Sequence, residues 1–132
     1  MRIVILGCGR VGAYLARMLA AEGHQVTVVD RNSAAFARLG ADFAGNLVVG
    51  TGIDEDVLRR AGIERAEAFV AVTNGDNTNV MAAQLARDVF NVPRVICRIY
   101  DPLREEIYRG LGLETICPTL WGATRIKEIL AG

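Results

Sequence analysis

The stretch Gly7-Cys8-Gly9-Arg10-Val11-Gly12 sets three glycines at the spacing that receives a pyrophosphate, directly after the apolar run Arg2 to Leu6 and at the head of an amphipathic segment. Each glycine has a task there. Gly7 allows a tight turn, Gly9 lets backbone approach a phosphate with no side chain between, and Gly12 lets a helix pack close to its strand. Free amides at the helix start, with the helix dipole behind them, attract the anion. About twenty residues further on, Val28-Val29-Asp30 ends in a carboxylate able to accept hydrogen bonds from both hydroxyls of an adenosine ribose. A 2′-phosphate would meet that charge, which disfavours NADP, although the adjoining Arg31 acts in the opposite sense. Capping of the following segment is the competing role for Asp30, and Ser33 could supply that cap.

Three further positions carry two readings each. Arg10, inside the turn, either forks onto a phosphate or faces solvent. Thr73, Asn74, Gly75 and Asp76, after the apolar run Ala68 to Val72, either contact ligand or cap a helix. Arg98, at the end of Arg94 to Arg98, either faces the phosphates or makes a surface salt bridge.

The parts of an enzyme are harder to find. Hydride transfer needs a second substrate and usually a general acid or base beside the nicotinamide. The only histidine, His24, lies in the Gly23-His24-Gln25 link, at the end of the sheet away from the glycine turn. The chain contains no Gly-x-Ser-x-Gly elbow, Walker lysine loop or Tyr-x-x-x-Lys pair. The cysteines Cys8, Cys97 and Cys117 form no CxxC pair and with one histidine make no zinc site, and Cys97 and Cys117, in apolar strand-like runs, suit inert packing. No catalytic or metal-ligating residue is assigned. The cofactor domain of an NAD-dependent oxidoreductase is kept as the alternative reading.

To position these residues the chain must place them at strand ends, and its pattern does so. Short apolar runs alternate with segments of helical period, the pattern of a parallel sheet with crossover helices. Six strands are expected, at Arg2 to Leu6, Gln25 to Val29, Asn46 to Val49, Ala68 to Val72, Arg94 to Arg98 and Glu114 to Cys117. The intervening helices are expected over Arg10 to Glu22, Ser33 to Leu39, Asp54 to Ala61, Asp76 to Phe90 and Pro102 to Gly110, with a last one from Leu120 to Ala131. Gly23, Gly40, Gly62 and Gly110 mark helix ends, and Asp54, Asp76 and Asp101 mark caps. Right-handed crossovers favour an α/β Rossmann-type, doubly wound six-stranded sheet of order 3-2-1-4-5-6 with helices on both faces and a crevice at the switch between the first and fourth strands.

Composition agrees with one nucleotide-binding domain over residues 1–132. Fifty-two per cent hydrophobic and 23% charged residues support a folded core. Fifteen basic and fifteen acidic residues cancel, so nucleic acid is not an expected partner. No segment has the roughly 20 apolar residues of a membrane span, and free thiols suit the cytoplasm. Trp121, Ile126, Ile129 and Leu130 recur at helical spacing in the last helix, which either packs on its own sheet or offers a partner or crossover surface.

Together GCGRVGAYLARML, VTVVDRN, GTGIDEDVLRRAGI, AFVAVTNGDNTNVMAAQLAR, CRIYDP and LGLETICP resemble the N-terminal domain of the regulator of potassium conductance family, the TrkA-N domain, from about Arg2 to Pro118. Thr73, Asp76 and Asn79 after a strand are the more specific part of the match. The resemblance implies a cytoplasmic regulatory domain that binds NAD(H), ATP or ADP and passes the bound state to a membrane potassium transporter or channel subunit. It would be reached at the inner face of the membrane through that partner. It also implies a dimer or larger ring. Within the site it implies that Arg10 faces phosphates, Asp30 holds the ribose, Thr73, Asn74 and Arg98 line the crevice, and Thr51-Gly52-Ile53 runs near the adenine edge. The chain departs from family habit at Thr51, where aspartate is common, and at Thr119, where an acidic residue is.

Overall fold

The six apolar runs pair into one sheet in the computed structural model, which describes residues 1–132. The strands are β1 (Arg2–Leu6), β2 (Gln25–Asp30), β3 (Asn46–Val49), β4 (Ala68–Ala71), β5 (Arg94–Arg98) and β6 (Glu114–Ile116). All neighbours are parallel, in the order β3-β2-β1-β4-β5-β6. Ile5 of β1 lies between Val28 of β2 and Val70 of β4, so the first strand sits at the centre with both faces covered. That burial explains why Ile3-Val4-Ile5-Leu6 is continuously apolar rather than alternating.

Alternate side chains of each central strand feed two cores. On one face Ile3, Ile5, Val26, Val28, Val70 and Val72 pack with Ala13 and Ala16 of α1 (Arg10–Ala21). On the other, Val4, Leu6, Phe69, Ala71, Cys97 and Ile99 meet Val57 and Leu58 of α2 (Glu55–Arg60) and Val80 and Ala83 of α3 (Asp76–Gln84). Small residues on α1 and α3 let the helices sit close to the sheet.

Several boundaries differ from expectation, each for a local reason. Asp30 pairs with Val49 and so belongs to β2. β4 stops at Ala71 and β6 at Ile116, each one residue early. Ser33–Leu39 is a 3-10 helix, and its cap is Asn32, whose side chain accepts from the Ala34 amide; neither Asp30 nor Ser33 fills that role. Asp54 and Asp101 cap as expected. Asp76 does not: Gly75 is the cap of α3, and the Asp76 carboxylate reaches another loop. The expected Asp76 to Phe90 helix changes to a π-turn over Leu85–Val89, and a short 3-10 turn forms at Ile63–Arg65. Gly110 stays inside α4 (Pro102–Gly110), and the chain turns at Gly112 instead. The last helix, α5 (Pro118–Ala131), starts two residues early with proline in its first turn, where a missing N–H costs nothing. It buries none of its residues: Trp121, Ile126, Ile129 and Leu130 are all exposed, so the reading in which it packs on its own sheet is not what is seen. No helix is long and apolar enough to cross a membrane.

All three cysteines are free and buried. Burial, reinforced by the negative Asp76, pushes the Cys97 thiol up to about 12 from an ordinary 9.0. The unfolded chain would lose that proton near its ordinary value, so between about pH 9 and 12 the folded state holds more protons and stability falls as pH rises. Removing the thiol in Cys97→Ala should flatten the alkaline limb of a stability-versus-pH curve by up to about 1.4 kcal/mol per pH unit, read from denaturant melts. An unchanged limb would show that the thiol ionises freely in the fold.

Candidate functional site

At the carboxyl ends of β1, β2, β4 and β5 the chain encloses a cavity of about 760 Å³. Its floor is the turn from β1 into α1. Gly7 adopts φ +108°, a backbone state that side chains resist, and a Cβ there would lie 2.9 Å from the Thr73 nitrogen. Gly9 has open space where a Cβ would stand. No side chain caps α1 and its first turn carries no carboxylate, so the positive end of the helix is left for an anion from the cavity.

Twelve of the thirteen residues expected at the site line this one cavity: Gly7, Cys8, Gly9, Arg10 and Val11 from the turn, Asp30 at the end of β2 and Arg31 just after it, Thr51 and Gly52 after β3, Thr73 and Asn74 after β4, and Arg98 of β5. Gly12 is the exception. A Cβ on it would fall 1.8 Å from the Gly7 carbonyl oxygen, so it lies behind the turn as a packing residue and does not line the cavity. The Cys8 side chain also points inward: its thiol donates to the Ala35 carbonyl at 3.3 Å, and burial together with the Asp30 charge raises its pKa, with Arg38 opposing.

Asp30 is the only carboxylate in the lining. One oxygen accepts from the Cys8 amide at 2.8 Å and the other from the Asn32 amide at 2.8 Å. These bonds tie β2 to the glycine turn and aim the carboxylate along the cavity rim, and each oxygen retains a lone pair for a hydroxyl donor.

Across the crevice a fully buried Asn79 organises the wall. Its carbonyl oxygen accepts from the Thr73 amide (3.0 Å) and hydroxyl (2.6 Å), and its amide donates to the carbonyls of Thr73 (3.0 Å) and Arg98 (2.9 Å). Of the cluster after β4, Thr73, Asn74 and Gly75 line the cavity, and no side chain caps α3. Replacing Asn79 with alanine takes the side-chain partner from the Thr73 amide and the Arg98 carbonyl, while the Thr73 carbonyl and hydroxyl keep Arg98 and Gly75, and should cost roughly 3 kcal/mol in chemical denaturation. A loss under about 1 kcal/mol would show that water replaces the amide freely.

Arg98 does not make the surface salt bridge of the second reading. It is only 7% exposed, forms no salt bridge, donates once to the Thr73 carbonyl at 2.7 Å, and stacks 4.6 Å from the Tyr100 ring centre. Its Nε is buried with no hydrogen-bond partner. A buried guanidinium with donors to spare, facing a cavity, suits an anionic ligand. Arg10, Arg31 and Arg38 also line the cavity without ion-pairing. Four arginines against one aspartate, in a chain whose charges cancel, concentrate positive potential here.

Sequence reasoning missed Arg38, Asn32, Thr78 and Tyr100 in this lining. Arg38 donates to the Cys8 carbonyl at 3.3 Å. Its signal was present: it stands three positions after the buried Ala35, and in a 3-10 helix that spacing puts both on one face.

The chain is similar in sequence and in fold to known proteins. The family profile described as the TrkA-N domain matches residues 3–118. The chain belongs to the TrkA-N family. The domain is 52% identical over 130 residues to the Trk system potassium uptake protein TrkA of Streptomyces coelicolor, covering 98% of this chain and 58% of that protein. It is 41% identical over 102 residues to TrkA of Vibrio alginolyticus, covering 77% of this chain and 22% of the relative. The chain thus spans little more than half of the Streptomyces protein. In fold it is similar to the Kef CTD of Shewanella denitrificans in AMP-bound form (TM-score 0.84, 21% identity, 100% of this chain and 82% of that one). It is also similar to the GsuK bound to ADP (TM-score 0.81, 24% identity, 98% and 33%).

Proposed function

We propose that this TrkA-N domain is the nucleotide-sensing part of a potassium uptake system, binding NAD(H) or ATP/ADP in the cavity and relaying the bound state to a membrane potassium transporter or channel subunit. The observation that carries the reading is the unpaired, buried Arg98 opposite a glycine turn whose rim holds one carboxylate, Asp30. Asp30 takes the ribose diol, the amides at the start of α1 and Arg10 take the first phosphates, and Arg98 takes those beyond. The stretch Thr51-Gly52 lies along the adenine side. Relatives named as potassium uptake proteins and solved neighbours holding AMP or ADP support the assignment.

We read the domain as regulatory rather than catalytic. The cavity contains no histidine or lysine, and its single carboxylate is already committed to two backbone amides. Regulation then works by linkage: nucleotides that share adenosine but differ beyond it stabilise different arrangements, and a ligand with equal affinity for both moves nothing. Taking an ensemble from mostly one state to mostly the other needs about 5 kcal/mol of differential binding, which a dimer or larger ring at the cytoplasmic membrane face can sum over its subunits.

Calorimetric titration with NAD, NADH, ATP, ADP and NADP tests the reading. Binding of at least one free-diol nucleotide, with NADP weaker than NAD by about tenfold or more, is expected. NADP binding best, or turnover of NADH with a panel of oxo-acids, would move the domain to the oxidoreductase class.

A further inference from the structure

Asp76 opens α3 on the β4 side of the cavity, yet its carboxylate crosses to the loop that follows β5. One oxygen accepts from the Tyr100 amide at 2.8 Å and the other from the Asp101 amide at 3.3 Å. Beside it, the Asn77 side chain accepts from the guanidinium of Arg104 on α4. Asp76 does not itself line the cavity, whereas Tyr100 and Arg98 do. The Arg98 guanidinium therefore has two fixed neighbours: the Thr73 carbonyl, held by Asn79, and the Tyr100 ring, whose backbone is held by Asp76. A buried cation with one hydrogen bond takes its direction from such neighbours, and a ring face that moves takes the cation with it.

We propose that Asp76 is a positioning residue for the phosphate-side wall: acting through Tyr100 it aims Arg98 at phosphates beyond the first, and it ties the start of α4 to that wall. The inference rests on the nucleotide-binding reading above. It makes α4, with Leu103 and Ile107 exposed along it, the element mechanically coupled to phosphate number.

The test is calorimetry with AMP, ADP, ATP and NAD on the wild-type domain, Asp76→Ala, Asp76→Asn, Tyr100→Leu, Arg98→Ala and the Asp76→Ala/Arg98→Ala pair. Asp76→Ala is expected to weaken ADP, ATP and NAD by about tenfold and AMP by less than about twofold. Asp76→Asn keeps an acceptor for the Tyr100 amide and should recover most of the loss. In the Arg98→Ala background the Asp76 change should add nothing, because the two act through one guanidinium. Tyr100→Leu, which leaves the carboxylate and both amides in place, should reproduce the selective loss, and it carries the test should Asp76→Ala not fold. Equal losses for all four ligands, additive losses in the pair, or no loss in a folded variant would overturn the positioning role while leaving the nucleotide site standing. A folded wild type that binds none of the four would instead remove the site, and the inference with it.

Discussion

Alanine at Gly12 should destabilise the domain by more than about 3 kcal/mol, enough to leave much of it unfolded at 37 °C. The added Cβ would stand 1.8 Å from the Gly7 carbonyl oxygen and 3.3 Å from a Val72 methyl. The first is backbone, in a turn already fixed by the Gly7 amide donating to the Val29 carbonyl at 2.8 Å. Relief requires α1 to lift from β1 and β4, taking Ala13 and Ala16 out of a core that has no slack. Gly9→Ala is the matched control. Its Cβ meets nothing within 4 Å, and Gly9 has an ordinary φ of −77°, so the fold should persist while the methyl obstructs approach to the turn. Thermal melts should therefore separate the two glycines sharply. Equal melting temperatures would mean that the close helix packing is not required.

Asp30→Ala should lower affinity for every free-ribose adenine nucleotide by about 100-fold, the expected loss of charge-assisted bonds to two hydroxyls. The substitution also removes acceptors from the Cys8 and Asn32 amides, so part of the effect comes from a loosened turn and should appear as a lower melting temperature. Asp30→Asn separates the contributions. It keeps the size and one acceptor but loses the charge that opposes a 2′-phosphate, so the preference for NAD over NADP should narrow while the fold is largely retained. Asp30→Ala binding ADP as tightly as wild type would remove Asp30 from the site.

The sheet was legible because burial on both faces writes itself as uninterrupted apolar runs, and Ile3 to Leu6 and Phe69 to Val72 could be little else. The chemistry of the cavity was partly legible for a different reason: close backbone approach demands glycine at Gly7 and Gly9, and a strand-end carboxylate at Asp30 follows from register. What stayed hidden were contacts between loops distant in sequence. Nothing local to Asp76 says that its carboxylate serves Tyr100, twenty-four residues on, rather than capping its own helix. Nor does the neighbourhood of Arg98 say that it is buried without an acidic partner, because burial there depends on β6 and the Tyr100 ring. The π-turn at Leu85–Val89 likewise has no local signal, since Leu85, Ala86 and Arg87 suit an ordinary helix.

Amide chemical-shift mapping of the isotope-labelled domain during titration with ADP, and in parallel with NAD, tests the central claim most directly. The account predicts saturable shifts concentrated at Gly7, Cys8, Gly9, Arg10, Thr51, Gly52, Thr73 and the Arg98 side chain, with the β3–β2–β1 edge and the β4–β5 wall responding to the same ligand. No shifts in a well-folded protein, or shifts gathered elsewhere, as on α5, would contradict it.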